Sequence, residues 1–300
     1  MASGRPVVRC ELHNGVTWEN QECHIQFKSL IRELQVPAVV SAPMRILVTG
    51  ASGFIGSHLA PALAAAGHEL RTAVEGCDAL VHLANIAHTS ASPRELHHVN
   101  VEGTIAQAQA ALGAGARRFV YLSSIKAADP RDAYGQAKRL AEQGLQGLQG
   151  LEPVILRPPL VYGPRVKANF LALMRAIDRG WPLPLASIRN RRSLVYVGNL
   201  VDAILRCLAG PASGKIYAVS DGAPVSTPEL CRALGRALGR PARLWPFPPA
   251  LLALAPGLAR LAESLEADDR AIREQLGWRA PFTLEEGLRL TAQWYRAQGG

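Results

Sequence analysis

The sequence lacks the cysteine pattern of a metal-binding or disulfide-stabilised protein. Its five cysteines are an odd number, and no two have the close spacing of metal ligands: Cys10, Cys23, Cys77, Cys207 and Cys231. Cys10 and Cys23 have histidines nearby, His13 and His24, but the spacing fits none of the usual zinc patterns. We therefore predict no metal site and a reduced, cytoplasmic setting.

A long apolar run is also absent. The most apolar stretch, FPPALLALAPGLARLA at 247–262, is interrupted by prolines and by Arg260. It is shorter than the roughly 20 residues that a membrane-spanning helix needs. We predict no stable membrane insertion and interpret the stretch as a helix that is buried or covers a groove. Contact with a membrane surface is the alternative.

The chain carries an excess of positive charge, formally +9 at pH 7, which favours anionic partners. The basic residues are scattered, with no platform of interleaved aromatic and basic side chains. We therefore predict no nucleic-acid partner and a phosphate-bearing small molecule instead. Hydrophobic residues make up 48% of the chain, enough for a sizeable core.

Residues 1–43 differ in composition from the rest and are predicted to be a poorly ordered extension, with a regulatory or partner-binding arm as the alternative. From Met44 onward, apolar runs and helical patterns alternate. Strands are predicted at 45–50, 79–85, 118–124 and 153–159, and helices at 54–66, 94–114 and 132–147. This alternation predicts an α/β fold, a Rossmann-like doubly wound parallel sheet. We assign 44–160 to a dinucleotide-binding domain and 161–300 mainly to a substrate lobe, with some segments returning to the sheet.

A glycine-rich loop, TGASGFIG at 49–56, lies between the first strand and the first helix. Gly50 permits the tight turn, Gly53 lets the backbone approach a pyrophosphate, and Gly56 allows the helix to pack closely on the strand. Amides at the start of the helix face the phosphates. Because the loop has the strand–loop–helix context, we predict a dinucleotide site here.

Four motifs together resemble the extended short-chain dehydrogenase/reductases, the NAD-dependent epimerase/dehydratase group: TGASGFIG, VHLAN at 81–85, YLSS at 121–124 and YGQAK at 134–138. The likeness covers about 44–297. Two further stretches, 190–204 and 266–288, look like the bacterial UDP-sugar 4-epimerases and 4-ketoreductases of surface-polysaccharide synthesis.

Tyr134 and Lys138 are four residues apart on a predicted helix and therefore share a face. A neighbouring ammonium favours the phenolate, so we expect the phenol to exchange protons near neutral pH. The resemblance implies that Tyr134 is the acid/base, that Lys138 binds the nicotinamide ribose and that Ser124 holds the substrate oxygen. Ser123 is the adjacent alternative.

The resemblance also implies further contacts with the ligands. Asn100 matches a helix asparagine that braces the active-site backbone. The substrate contacts are Ser124, Asn169, Arg192 and Asp268, with Asp269 as the alternative carboxylate. The cofactor contacts are Gly50, Ser52, Gly53, Phe54, Ile55, Gly56, Leu83, Ala84, Asn85, Tyr134, Lys138, Pro158, Leu160 and Val161.

The sequence departs from the family between the glycine loop and the strand at 79–85. A second strand at 68–74 would leave four residues for the crossover, which reach only about 14 Å. We therefore predict a shortened or rearranged sheet edge around 68–78. The residue that selects NAD or NADP lies at the end of the second strand. Glu75 at this position would favour NAD, whereas Arg71 would favour the phosphate of NADP. Alternatively, Glu75 belongs to the turn that follows the strand. We lean slightly to NAD.

These features predict an NAD(P)-dependent epimerase or ketoreductase acting at C4 of a UDP-sugar. A non-catalytic dinucleotide sensor or scaffold of the same fold is the alternative. A homodimer is expected from the family, through a four-helix contact made by 94–114 and 132–147.

Overall fold

The computed structural model describes residues 42–86, 91–248 and 261–299. Nearly all of the extension at 1–43 and most of the apolar stretch at 247–262 lie outside these ranges, together with the predictions made for them. Within the described ranges, no helix combines the length and apolar character needed to cross a membrane.

The main sheet of the described residues has six parallel strands. They are β1 Arg45–Thr49, β2 Glu69–Arg71, β3 Ala79–His82, β4 Arg118–Leu122, β5 Glu152–Arg157 and β8 Ile216–Ala218, in the order β2-β1-β3-β4-β5-β8. A second, two-stranded parallel sheet is formed by β6 Leu160–Tyr162 and β7 Leu194–Tyr196. The predicted doubly wound α/β fold is confirmed. The division at residue 160 stays a prediction, although β8 does return to the sheet.

The helices are α1 Gly56–Ala65, α2 Pro93–His97, α3 Gly103–Gly113, α4 Ala133–Gln146, α5 Ala168–Asp178, α6 Val197–Ala209, α7 Thr227–Leu238, α8 Arg270–Leu276 and α9 Leu284–Ala297. A π-helical turn, His98–Glu102, joins α2 to α3 without a break. The predicted helix at 94–114 therefore exists as one continuous helical run with a bulge in its middle.

Alternate residues of each strand pack on opposite faces of the sheet, as the pleat requires. On one face, Val81 and Val120 pack with apolar residues of α1 and α6. On the other face, Leu80 and Phe119 pack with residues of α3 and α4. The sheet is therefore covered by helices on both sides, which explains why its strands are continuously apolar.

The sheet ends at β2, and the predicted shortened edge is confirmed. Strand β2 has three residues and pairs with β1 only as far as Leu47, two residues before the end of β1. Seven residues, 72–78, then cross to the other side of β1, where the Asp78 amide donates to the Arg45 carbonyl oxygen (2.8 Å). The strand is short because a longer one would leave too few residues for this crossing.

Candidate active site

The glycine loop is a place where side chains do not fit. Gly50 has a φ of +73°, and a Cβ there would lie 2.9 Å from the Ala84 amide nitrogen. A Cβ on Gly56 would lie 2.6 Å from the Cα of Ala51. The loop therefore packs closely on the backbone that follows β3, and the start of α1 packs closely on the loop itself, as dinucleotide binding requires. Ser52 and Gly53 are exposed at the tip, next to the start of α1, so this cradle fits a pyrophosphate.

The segment after β3 is fixed beside this loop. The Leu83 amide donates to the Thr49 carbonyl (3.1 Å), and the Ala84 amide donates to the Thr49 hydroxyl (3.4 Å). Fully buried Asn100 accepts from the Ile86 amide (2.9 Å) and donates to the Ile86 carbonyl (3.0 Å). Asn100 thus braces the backbone as the resemblance implied, and it does so from the π-helical turn, a type of bulge common at functional sites.

Ser124 and Ser123 differ sharply in their surroundings. The Ser123 hydroxyl is buried and donates to the Glu142 carboxylate (2.5 Å). The Ser124 hydroxyl is partly exposed and accepts from the Lys126 amide (3.3 Å), capping a short 3-10 turn, Ile125–Ala127. It also interacts with the Tyr134 phenol, and this interaction lowers the pKa of Tyr134. This geometry favours Ser124 over Ser123 as the hydroxyl available to a substrate.

Tyr134 lies in the first turn of α4, which begins after the N-cap residue Asp132. Burial raises the pKa of Tyr134 to about 12; the Asp132 carboxylate acts in the same direction, and the hydrogen bond with Ser124 lowers it. The sequence-based expectation that Lys138 favours the phenolate is wrong for the isolated chain. Burial is the largest cause of the shift, and burial also lowers the pKa of Lys138, whose side-chain nitrogen is 5.9 Å from the centroid of the Tyr134 ring.

Lys138 is almost fully buried, with 1% of its surface exposed. Its ammonium donates to the Leu122 carbonyl oxygen (2.7 Å) and lies 4.6 Å from the centroid of the Tyr121 ring. Burial lowers the pKa of Lys138 well below its ordinary value, and the nearby Glu142 carboxylate raises it. The amine is therefore rigidly placed at the carboxyl end of β4, on the same helix as Tyr134.

Sequence reasoning missed Glu142, which lies one helical turn after Lys138. Its carboxylate is 2% exposed and accepts hydrogen bonds from Ser123 and from both Nε and a terminal nitrogen of Arg157 on β5. This buried cluster ties α4 to the sheet directly behind Lys138. The signal was present in the sequence, since Glu142 continues the Tyr134–Lys138 face at i+4 spacing.

The segment predicted to line the nicotinamide pocket connects to the same corner. The Pro158 carbonyl accepts from the Ile125 amide (3.0 Å), so it is joined to the residue after Ser124. Leu160 and Val161 follow in β6; Leu160 is 38% exposed and Val161 is partly exposed. These residues are therefore held near Ser124 by a direct backbone hydrogen bond.

Arg192 lines a cavity of about 250 Å³ in the C-terminal half of the chain. The other residues around it are Leu194, Asp221, Ala223, Val225 and Leu284. The Arg192 backbone pairs with Val225 and with Leu265, which fixes its position. Burial lowers the pKa of Arg192. A guanidinium that is partly shielded from water is suited to bind a phosphate group through two hydrogen bonds.

The two aspartates at the start of α8 have different roles. Asp268 is exposed and forms an ion pair with Arg270 (2.6 Å), which lowers the pKa of Asp268 to about 2. Asp269 is buried and accepts from Ser220 (2.8 Å) and Arg273 (2.7 Å). Asp269 is therefore held inside the fold by its hydrogen bonds, whereas Asp268 lies at the surface with Arg270 as its partner.

Two other predicted positions have clear locations. Asn169 lies exposed in the first turn of α5. Glu75 is exposed in the turn after β2. The next residue, Gly76, lies near the Arg45 guanidinium at the beginning of β1, which a Cβ on Gly76 would approach. The alternative interpretation of Glu75 as a turn residue is thus correct. Arg71, the last residue of β2, pairs with Glu69 (2.8 Å).

Comparison with known proteins agrees with this architecture. The model of the NAD dependent epimerase/dehydratase family matches residues 46–76 and 70–220. A UDP-glucose 4-epimerase of Vibrio cholerae is 36% identical over 84% of this chain and 95% of its own length.

Solved structures show the same fold. UDP-glucose 4-epimerase from Thermotoga maritima, solved with UDP-glucose, superposes with a TM-score of 0.70 at 22% identity, covering 86% of this chain and all of the other. RMD from Pseudomonas aeruginosa, in complex with NADPH, gives a TM-score of 0.71 at 24% identity, with coverage of 85% and 98%.

The match extends over more than half of the chain, and the glycine cradle and the Ser124–Tyr134–Lys138 corner occur together within it. A non-catalytic scaffold is therefore not supported. The chain belongs to the NAD-dependent epimerase/dehydratase family, and it is an NAD(P)-dependent enzyme.

Proposed function

We propose that this enzyme is an epimerase or ketoreductase that acts at C4 of a UDP-sugar. The observation that carries the proposal is the corner at the carboxyl end of β4, where the Ser124 hydroxyl lies beside the Tyr134 phenol and Lys138 shares the helix face of Tyr134. Bound NAD(P) would supply the hydride acceptor and donor. Tyr134 would exchange a proton with the sugar oxygen while Ser124 holds that oxygen in place.

The pKa of Tyr134, about 12, means that the phenol is protonated at neutral pH. A protonated phenol is ready to donate to a developing alkoxide, which is the step of ketone reduction. The reverse step, oxidation of a hydroxyl, requires the phenol to give up its proton first. In the ligand-free chain the phenol is therefore set to donate a proton, and a favourable charge brought by the ligand would assist the loss of that proton in the oxidation step.

The UDP portion is supported by the Arg192 cavity. It places Arg192 beside four apolar residues and Asp221, and exposed Asp268 lies three residues after Leu265, the residue that pairs with Arg192. The guanidinium suits the diphosphate. The name of the Vibrio cholerae relative, a UDP-glucose 4-epimerase, agrees with this substrate class.

The decisive experiment compares wild-type protein with Tyr134→Phe. Purified protein is incubated with NAD or NADP and UDP-glucose or UDP-N-acetylglucosamine, and the C4 configuration is followed by NMR. We expect Tyr134→Phe to retain thermal stabilisation by the cofactor and to lower kcat by about 100-fold or more. Tyr295→Phe is the matched control, since that hydroxyl makes only a 3.4 Å contact with Asp178 in α5.

Two outcomes separate the candidate activities. Epimerisation without net consumption of the cofactor identifies an epimerase, whereas a 4-ketosugar reduced with stoichiometric loss of NADH or NADPH identifies a reductase. Full turnover by Tyr134→Phe would refute the assignment of the acid/base.

A homodimer through α3 and α4 remains part of the proposal. Leu140 on α4 is 45% exposed, and Val99 in the adjoining π-helical turn is 38% exposed. These side chains would be covered by a four-helix contact. Sedimentation of wild type and Leu140→Glu tests it, with the variant expected to be monomeric.

A further inference from the structure

The loop from Ser124 to Tyr134 contains only nine residues, 125–133, and an ion pair closes it. The Lys126 ammonium lies 2.5 Å from the Asp132 carboxylate, and both side chains are a little over two-fifths exposed. This pair joins a residue beside Ser124 to the residue that starts the helix of Tyr134. We refer to it below as the loop ion pair.

At the first end of the loop, the backbone of Lys126 contacts Ser124. Its amide donates to the Ser124 hydroxyl (3.3 Å), so Lys126 belongs to the turn that this hydroxyl caps. A shift of Lys126 would therefore move the hydrogen bond that orients Ser124. The ammonium of the same residue is the group anchored to Asp132.

At the second end of the loop, the carboxylate of Asp132 has two hydrogen-bond donors. One oxygen of its carboxylate accepts from the Gly135 amide (2.8 Å) and caps α4, while the other accepts from Lys126. A Cβ on Gly135 would lie 2.8 Å from the Lys126 carbonyl oxygen, so the two ends of the loop are in direct backbone contact. The helix start and the Ser124 turn thus form one packed unit.

The charged groups that act on Tyr134 come from these same elements. Asp132 and Lys138 lie on or directly before α4, and Ser124 follows β4. Tyr121 of β4 interacts electrostatically with Tyr134 across the buried side. From α2 and the π-helical turn, the described neighbours are the apolar Leu96 and Val101. Asp132 is therefore the anionic group that acts on the phenol, and Lys126 is a direct cationic partner of Asp132.

We propose that Lys126 and Asp132 are positioning residues for the reaction. The loop ion pair holds the Ser124 hydroxyl against the Tyr134 phenol and shields the phenol from the Asp132 carboxylate. This inference rests on the proposed function of Tyr134 and goes beyond it, since neither residue need touch the substrate.

The test uses two substitutions that break the loop ion pair from opposite sides. Lys126→Met keeps the length of the side chain and removes the positive charge beside Asp132, whereas Asp132→Asn keeps an N-cap acceptor and removes the negative charge. We expect both to lower kcat roughly three- to tenfold with little change in KM, because the Ser124–Tyr134 geometry is loosened. Lys126→Arg should restore kcat.

The pH profile distinguishes positioning from simple loss of structure. Because the Asp132 carboxylate raises the pKa of Tyr134, Lys126→Met should move the alkaline limb of kcat upward and Asp132→Asn should move it downward. Each shift should be roughly a few tenths of a pH unit, given the exposure of the pair. Equal shifts in one direction, or none, would overturn the proposal.

A second readout does not require turnover. The onset of phenolate absorbance is titrated in each variant after subtraction of the same variant carrying Tyr134→Phe, with circular dichroism confirming that the protein stays folded. Opposite shifts of the phenolate titration in the two variants support the inference even if no nucleotide sugar is turned over. The absence of turnover would refute only the proposed function. Arg131→Met and Asp129→Asn are matched controls, since they break an exposed ion pair in the same loop (2.6 Å).

Discussion

The centre of the sheet and its β2 edge are stabilised in different ways. At the centre, the ends of β1, β3 and β4 meet a glycine loop that excludes side chains and a buried Glu142–Arg157 pair. At the edge, the three residues of β2 are held by ladder hydrogen bonds, and the segment that leaves β2 ends at the Arg45–Asp78 pair between β1 and β3, whose side chains are 49% and 39% exposed. Water screens the second ion pair more strongly than the first.

The difference indicates which part of this fold tolerates a short strand. The edge determines contacts with the ribose of a dinucleotide's adenosine half, since the second strand carries the selecting residue in this type of fold. The centre holds the proposed chemistry. Strand β2 is only three residues long at the edge, whereas Tyr134 and Lys138 are held at the centre by burial and hydrogen bonds. The comparison predicts that substitutions at the centre are severe and that those at the edge are mild.

The largest effect is expected from Gly56→Ala. A Cβ at this position would lie 2.6 Å from both the Cα and the carbonyl oxygen of Ala51, and backbone atoms have no room to move. We expect loss of cofactor binding and destabilisation by more than about 3 kcal/mol. Equilibrium urea unfolding and thermal shift with NAD measure both. Gly113→Ala is the control, because no atom lies within 4 Å of the place that its Cβ would take and a helical alanine should be neutral or stabilising.

The next effect is expected from Glu142→Gln. The substitution leaves Arg157 beside a neutral amide in a buried cluster and weakens the bond from Ser123. We expect the free energy of unfolding to fall by about 3 kcal/mol. This value is near the lower end of the range measured when one partner of a buried ion pair is removed, because Arg157 is 21% exposed.

Glu152→Gln is the matched control for that comparison. Glu152 of β5 pairs with Arg118 of β4, whereas Glu142 of α4 pairs with Arg157 of β5; both pairs involve β5, but Glu152 is 42% exposed. Its effect on the urea midpoint should be clearly smaller. Equal destabilisation by the two substitutions would contradict the idea that burial decides the strength of these pairs.

The sequence predicted the centre better than the edge for a physical reason. The glycine loop, the apolar strands and the Tyr134–Lys138 spacing are local patterns, and each determines its own surroundings. The bounds of β2 depend instead on how seven residues cross past β1, which is a global constraint. The direction of the pKa shift at Tyr134 also escaped the sequence, since it depends on burial by distant residues rather than on Lys138 alone.

The roles of the two serines show the same limit. The motif at 121–124 contains both, and only the contact of Ser123 with Glu142, nineteen residues later, separates them. Likewise, nothing local distinguishes Asp268 from Asp269 until the side chains of Ser220 and Arg273 are placed.

The smallest effect is expected where the segment leaving β2 joins β3, from Asp78→Asn. Arg45 lowers the pKa of Asp78 from its ordinary 3.8 to about 2, so the carboxylate stabilises the native state above pH 3.8 and loses this contribution as the pH falls toward 2. The variant should be slightly less stable than wild type at pH 6, with the difference narrowing as the pH falls through that window. Because both side chains are well exposed, screening keeps the effect below that of Glu142→Gln.

Urea unfolding at pH 6 and pH 3 measures the difference in stability between wild type and Asp78→Asn, and Arg45→Met should reproduce the same pH dependence. A difference as large as that at Glu142 would mean that this exposed junction, and not the buried centre, limits the stability of the sheet.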